Sequence, residues 1–185
     1  MTVPATMMAL RAHARGGAEQ LVFEQAPVPV PGPDEALVEV HAAGITFAEL
    51  TWDESWTTRD GRDRTPVIPS HEVSGVVRGL GKNAPGLFTG EEVYGLIAFD
   101  RNGAAAEYVT APAADLADRP HSVSHAQAAS LPLAARSNAF LQFGGAQKRE
   151  RLFPSHRRGA FRQRVRIFFD LEFVSGKKRD DYVFA

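Results

Sequence analysis

The run Gly79-Leu-Gly-Lys-Asn-Ala84 satisfies Gly-x-Gly-x-x-Ala, the glycine pattern with which a backbone cradles a dinucleotide's pyrophosphate. That chemistry requires the run to open a helix whose N-terminal N–H groups meet the phosphates. Pro85-Gly86 follows at once, so the sequence predicts a turn here, and the fingerprint is rejected. Metal chemistry is equally constrained. The chain has six histidines and no cysteine. Thiolate nucleophiles, disulfides and cysteine-bearing zinc or iron–sulfur sites are thereby excluded. The basic clusters Gln147-Lys-Arg-Glu-Arg151, His156-Arg-Arg158 and Lys177-Lys-Arg179 raise a third chemistry, attraction to nucleic acid or another anionic partner. No nucleic-acid module accompanies them. A loosely packed basic segment is the plainer reading, and specific nucleic-acid binding is not expected.

The chain as a whole reads as an ordinary soluble domain, with 44% apolar and 23% charged residues among 185. Its longest apolar runs fall far short of the roughly 20 residues that span a bilayer. Met1 to Ala14 lacks a basic n-region followed by an apolar h-region, so a cytoplasmic protein without a membrane segment is expected. Charge is unevenly spread. Residues 1–142 carry 10 Lys+Arg against 17 Asp+Glu, whereas residues 143–185 carry 11 against 5. A reversal of this size at one point implies two segments of different character.

Short strands separated by turn residues dominate the first segment. Met8–Ala14 and Leu21–Gln25 flank Gly16-Gly17, and Pro27, Pro29, Pro31 and Pro33 enforce an extended stretch. Ala36–Ala43, Glu72–Gly81, Glu92–Phe99 and Ala105–Thr110 are further strands, each bounded by Gly, Asn or Pro. Residues 46–57 form a short helix or an ordered loop, and Arg59 to Arg64 is a charged connection. Ser124 with Gln127 forms a capping box for a short Ala-rich helix that Pro132 breaks. The fold class expected is mainly β, a barrel or sandwich rather than a doubly wound sheet. In the basic tail, Val165-Arg-Ile-Phe-Phe-Asp-Leu171 is the candidate for an extra strand.

Five blocks in this order resemble the medium-chain dehydrogenase/reductases, in particular their quinone-reductase-like branch. They are Leu37–Ile45 with its Ala-Ala-Gly-Ile turn, Pro66–Val77 around His71-Glu72, Gly90–Gly95, Gly103–Val109 with its Ala-Glu-Tyr, and Ala128–Leu133. Ser70 stands where the family has the glycine of its Gly-His-Glu block. The resemblance covers about residues 8–135. It implies a GroES-like, partly open β-barrel with a few short helices over residues 1–135, joined in the family to a Rossmann domain that binds NADP or NAD. It also implies hydride transfer to a quinone, an enone or a similar acceptor in the cleft between the two.

Residue roles follow from that resemblance. Zinc-dependent relatives carry a cysteine ligand where this chain has Thr46, and a hydroxyl is a poor zinc ligand. With His71 and Glu72 alone remaining, no metal is expected. Thr46 is instead a candidate for contact with nicotinamide or substrate oxygen, or else a turn residue bonding its own backbone. Trp52 and Trp56 line an apolar acceptor pocket or pack as core. Ser137 loosely occupies the place of a family threonine. Glu49 fixes its loop, and Gly44, His71, Glu72, Gly95, Glu107 and Tyr108 are structural members of the motifs.

The resemblance stops near Ala135, close to where the charge reverses. No glycine fingerprint follows, and the 43 residues from Phe143 are too few for a Rossmann domain, given typical domains of about 100–150 residues. Residues 136–185 are therefore expected to be a non-homologous or truncated basic segment with one or two strands, arising from a shifted reading frame, a shortened gene or an artificial boundary. Two functions stay open. In one, the chain is the catalytic-domain portion of an NAD(P)H-dependent quinone or enone reductase, zinc-independent and not competent alone. In the other, it is a non-catalytic barrel that binds a partner, as a homo-oligomer whose tail completes the fold.

Overall fold

The computed structural model describes residues 2–46, 48–135 and 183–184. Strand β1 (Thr6–Ala12) and strand β2 (Leu21–Pro27) pair antiparallel from Thr6 opposite Pro27 to Ala12 opposite Leu21. Between them the chain turns at Gly16-Gly17, where Gly16 has a φ of 156°. The proline-rich stretch then runs extended to β3 (Glu35–Gly44), the longest strand.

A larger sheet is built on β3. Its order is β6 (Tyr108–Pro112), β3, β4 (Glu72–Leu80), β5 (Glu92–Leu96), β7 (Leu116–Asp118), with β8 (Val183–Phe184) also beside β3. All these pairs are antiparallel except β8, which lies parallel to Ala42 and Ala43. The β1–β2 hairpin joins the sheet through residues 104–107. The Leu10 N–H donates to the Ala105 carbonyl at 2.8 Å, and the Met8 N–H donates to the Glu107 carboxylate at 2.8 Å. The fold is mainly β, as expected, and the strand order leaves the sheet unclosed.

Burial explains why these segments are strands. β5 and β6 alternate buried and half-buried positions, the period of a sheet with one face on the core. β4 is buried through its first six residues, which reads as coverage on both faces. One face meets the core of Val38, Val73, Val77, Val93, Ile97 and Val109. Helix α2 (His125–Ala129) packs against β3 and β4 and buries Ala128 and Ala129. Its start carries the capping box read from the sequence: the Ser124 hydroxyl accepts from the Gln127 N–H, and the Gln127 carboxamide oxygen accepts from the Ser124 N–H. α2 stops at Ser130, and a fresh helical turn begins at Pro132, a position where a missing N–H costs nothing.

Candidate functional site

The end of β3 and the two loops facing it bring together most of the residues singled out above. After Gly44 the chain leaves the strand. The Thr46 carbonyl accepts from the Glu49 N–H at 3.0 Å, which opens a 3₁₀ turn over Glu49–Thr51. The Thr46 hydroxyl takes no partner among the described residues, so it does not cap its own turn.

Glu49 is 1% exposed and His71 is 3% exposed, yet both are fully bonded. One Glu49 oxygen lies 2.7 Å from His71 Nδ1, and the other accepts from the Ser70 N–H at 2.8 Å. The second ring nitrogen, Nε2, lies 3.0 Å from the Arg101 carbonyl oxygen. A carbonyl only accepts, so Nε2 carries hydrogen. The contact at Nδ1 then needs one further proton, on the ring or on the carboxyl. Either placement gives a pair with no net charge, which is how two ionisable groups tolerate burial.

The His71 ring lies against Phe99, with centroids 4.6 Å apart, and Trp52 meets Phe99 edge-on at 5.2 Å. Trp52 is half-buried and leaves part of its ring to solvent. Trp56, four residues on, behaves differently. It ends helix α1 (Asp53–Trp56), is 4% exposed, donates Nε1–H to the Leu50 carbonyl at 2.8 Å, and packs with Ala12, Leu50 and Val67. Arg15 sits above its ring. Trp56 is thus core, and Trp52 is the tryptophan at the surface of the site. Ser137 and the candidate strand Val165–Leu171 lie outside the described residues.

The remaining motif residues hold backbone segments together. Glu72 Oε1 accepts from the Leu133 N–H at 2.9 Å, tying the start of β4 to the chain beyond α2. Its other oxygen lies where Gly44 has no side chain; a Cβ there would stand 2.7 Å from Glu72 Oε2. Burial pushes the Glu72 carboxyl above its ordinary value, against the pull of the Leu133 N–H. Gly95 admits the Asp115 carbonyl oxygen to within 2.2 Å of where a Cβ would be. Glu107 fastens the hairpin through Met8, and half-buried Tyr108 packs on the cluster of Met7, Ala9 and Ile68. Burial also raises the Tyr108 phenol, with the charges of Glu39 and Glu107 adding to it.

Zinc does not fit this donor set. Both nitrogens of His71 are engaged, one by Glu49 and one by the Arg101 carbonyl, so the ring has no free lone pair to offer, and Thr46 supplies a hydroxyl in place of a thiolate. Among the described residues no three His, Asp or Glu side chains converge on one point. Gly79–Ala84 runs from the end of β4 into a turn and opens no helix, so the described residues hold no phosphate-binding glycine loop of that kind.

This arrangement of an open, twisted antiparallel sheet with its mouth at the end of β3 defines a class, and comparison with known proteins agrees. Residues 32–121 match the alcohol dehydrogenase GroES-like domain. The chloroplastic quinone-oxidoreductase QR1 of Triphysaria versicolor is 31% identical over 121 residues, which is 64% of this chain and 36% of that protein. An alcohol dehydrogenase of Schizosaccharomyces pombe is 34% identical over 94 residues, 50% of this chain and 26% of that one. Among solved structures, the quinone oxidoreductase of Coxiella burnetii superimposes with a TM-score of 0.66 at 26% identity, covering 74% of this chain and 45% of that one. A mycobacterial protein complexed with NADPH does so at 0.62 and 30%, covering 75% and 40%. Over residues 32–121 the chain matches a GroES-like domain, and the proteins it is similar to there include quinone oxidoreductases and an alcohol dehydrogenase of the medium-chain dehydrogenase/reductase family. The chain spans about a third or less of the length of these curated relatives.

Proposed function

We propose that this domain forms the acceptor side of an NAD(P)H-dependent oxidoreductase, one that reduces a quinone or an enone without zinc. The observation that carries the reading is the half-exposed Trp52 set edge-on against Phe99, over the buried and uncharged Glu49–His71 pair. A flat apolar ring finds an aromatic wall there, and the Glu49–His71 pair beneath it carries no net charge. The Thr46 hydroxyl, without a partner among the described residues, is the group that donates a hydrogen bond to an acceptor oxygen. Orientation at such a wall brings a bimolecular reaction into one complex, which is the domain's own contribution to rate. When bound, the reduced nicotinamide would supply the hydride; the domain that holds the nucleotide in the family is the part this chain is expected to lack.

Glu49, His71 and Glu72 serve this reading as framework: they fix the loops and do not act as proton donors. The protein is proposed to work in the cytoplasm. No helix among the described residues is long and apolar enough to cross a membrane.

Calorimetric titration of the purified chain with NADPH and NADH tests the proposal, followed by quinone reduction. Saturable micromolar binding with turnover is the expected result for a reductase that is competent as it stands. Binding of a quinone without binding of either nucleotide leaves the acceptor domain alone. Failure to bind quinone at all overturns the reading and favours a barrel that recognises a protein partner.

A further inference from the structure

Arg64 lies on the connection that follows α1, and its guanidinium is half-buried without an ion pair among the described residues. Its Nη1 donates to main-chain oxygens of two separate segments: Ser55 at 2.7 Å, Phe99 at 3.1 Å and Glu54 at 3.2 Å. Its Nη2 reaches the Asn102 side-chain oxygen at 3.4 Å, and that oxygen also accepts from the Ile68 N–H at 3.2 Å. Its own N–H donates to the Trp56 carbonyl at 2.9 Å.

These partners belong to the two loops of the aromatic wall. Glu54 and Ser55 are in α1, which starts directly after Trp52, and a four-residue helix leaves its carbonyls short of donors. Phe99 and Asn102 are in the loop after β5. A guanidinium has five donors in a rigid fork and stays charged when buried. The Asp100 carboxylate acts on that charge only from beyond ion-pair distance, and withdrawing it from water is costly unless several oxygens receive it. Here those oxygens come from both loops, so the cation is satisfied only while the loops keep their spacing.

We propose that Arg64 is the positioning residue of the Trp52–Phe99 wall, fixing the separation of its two halves at the width a flat acceptor ring meets. The second half of this statement rests on the acceptor reading above; the first does not. Two measurements on the full chain keep them apart. Trp56 is 4% exposed, so acrylamide quenching of tryptophan fluorescence reports Trp52. Loss of that fluorescence on adding duroquinone reports acceptor binding.

Arg64→Met is expected to make Trp52 more quenchable and to weaken duroquinone binding about tenfold, the loss of one charge-assisted hydrogen bond's effect. Arg64→Lys, whose ammonium still offers three donors, restores most of both. Unchanged quenching and unchanged affinity in a folded Arg64→Met variant overturn the proposal. If the natural chain does not bind duroquinone, the acceptor reading falls, and quenching alone decides for or against Arg64 as the positioning residue. If Arg64→Met does not fold, Asn102→Ala, which takes the Asn102 oxygen from Arg64 and from the Ile68 N–H and leaves the Phe99 carbonyl bonded, is put through the same comparison.

Discussion

Replacing Ser70 by glycine should stabilise this protein, which is an unusual thing to expect of a fully buried residue beside the candidate site. Ser70 is 1% exposed and has a φ of 72°, in the left-handed region where a Cβ crowds the following carbonyl. That conformation costs about 1–2 kcal/mol for a residue with a side chain. Its hydroxyl has no hydrogen-bond partner among the described residues, a burial worth about 1–3 kcal/mol on the mutational scale. Ser70→Gly removes both penalties. It keeps the peptide N–H that donates to Glu49 and the carbonyl that accepts from Ala104. Against this stand about 0.5–1 kcal/mol for the freer unfolded chain and a smaller loss for the space left behind. The net gain is about 1–4 kcal/mol, at about 2–4 °C in Tm per kcal/mol for a chain of this size. Urea and thermal unfolding of Ser70→Gly and Ser70→Ala measure it. Alanine loses the hydroxyl but keeps the strained Cβ, so it should fall short of glycine by the strain less the chain-entropy cost, about 0.5–1 kcal/mol. An alanine variant as stable as the glycine one, or a glycine variant less stable than the natural protein, would refute the strain argument.

The uncharged Glu49–His71 pair makes a paired prediction. Glu49→Gln keeps a donor toward His71 Nδ1 and an acceptor for the Ser70 N–H, so it should cost less than about 1.5 kcal/mol in urea unfolding; Glu49→Ala strands a buried imidazole and should cost about 3–5 kcal/mol. Equal losses would mean that the pair is not neutral as described. A pH effect is expected at α2. Burial pushes the His125 imidazole below its ordinary value, and His41, whose ring lies 4.5 Å away, and Arg119 act the same way against Glu92. The unfolded chain therefore takes the proton first: the stability contributed is present above about pH 6.5 and is lost as pH falls through the lowered folded value. Unfolding midpoints followed from neutral to about pH 5 should fall more steeply in the natural protein than in His125→Gln; identical slopes would remove His125 from the account. The sign reverses for Glu72, whose raised carboxyl contributes stability below about pH 4.5 that is lost as pH rises through the folded value. Glu72→Gln retains an acceptor for Leu133 and should be no less stable than the natural protein at neutral pH, by the same unfolding assay.

Elements set by local chemistry were legible in the sequence. The Ser124–Gln127 box needs only its own four residues, and the turn at Gly79–Ala84 follows from the Pro-Gly behind it. Strand boundaries were less so. Ala105–Thr110 reads as one strand, but Ala105 and Glu107 bond to the β1–β2 hairpin, and pairing with β3 along β6 runs over Tyr108–Pro112. β7 spans three residues, too few for any alternation to show. The spacing of Trp52 and Trp56 suggests one helix face, yet Trp52 precedes α1 in extended backbone, with ψ at 140°, and so goes to a different environment. The Glu49–His71 pair lies across 22 positions and Arg64–Phe99 across 35, and nothing local announces either. Arg59 to Arg64 reads from sequence as a solvated charged link; that one of its arginines is half-buried among carbonyls is a property of the folded loops alone.

The two halves of the site support each other through a single electrostatic requirement. With a hydroxyl at Thr46 and both nitrogens of His71 engaged, the described residues at the end of β3 offer no cluster of metal ligands beside the buried carboxylate. Glu49 must then be balanced by the imidazole, and the imidazole must spend its second nitrogen on the Arg101 carbonyl. That bond pins the loop after β5, which places Phe99 on the face of His71 and within reach of Trp52. Arg64 pins the same loop from the other side. On the proposed reading, an aromatic wall over a pair of no net charge is what such a balance leaves exposed to a flat acceptor ring.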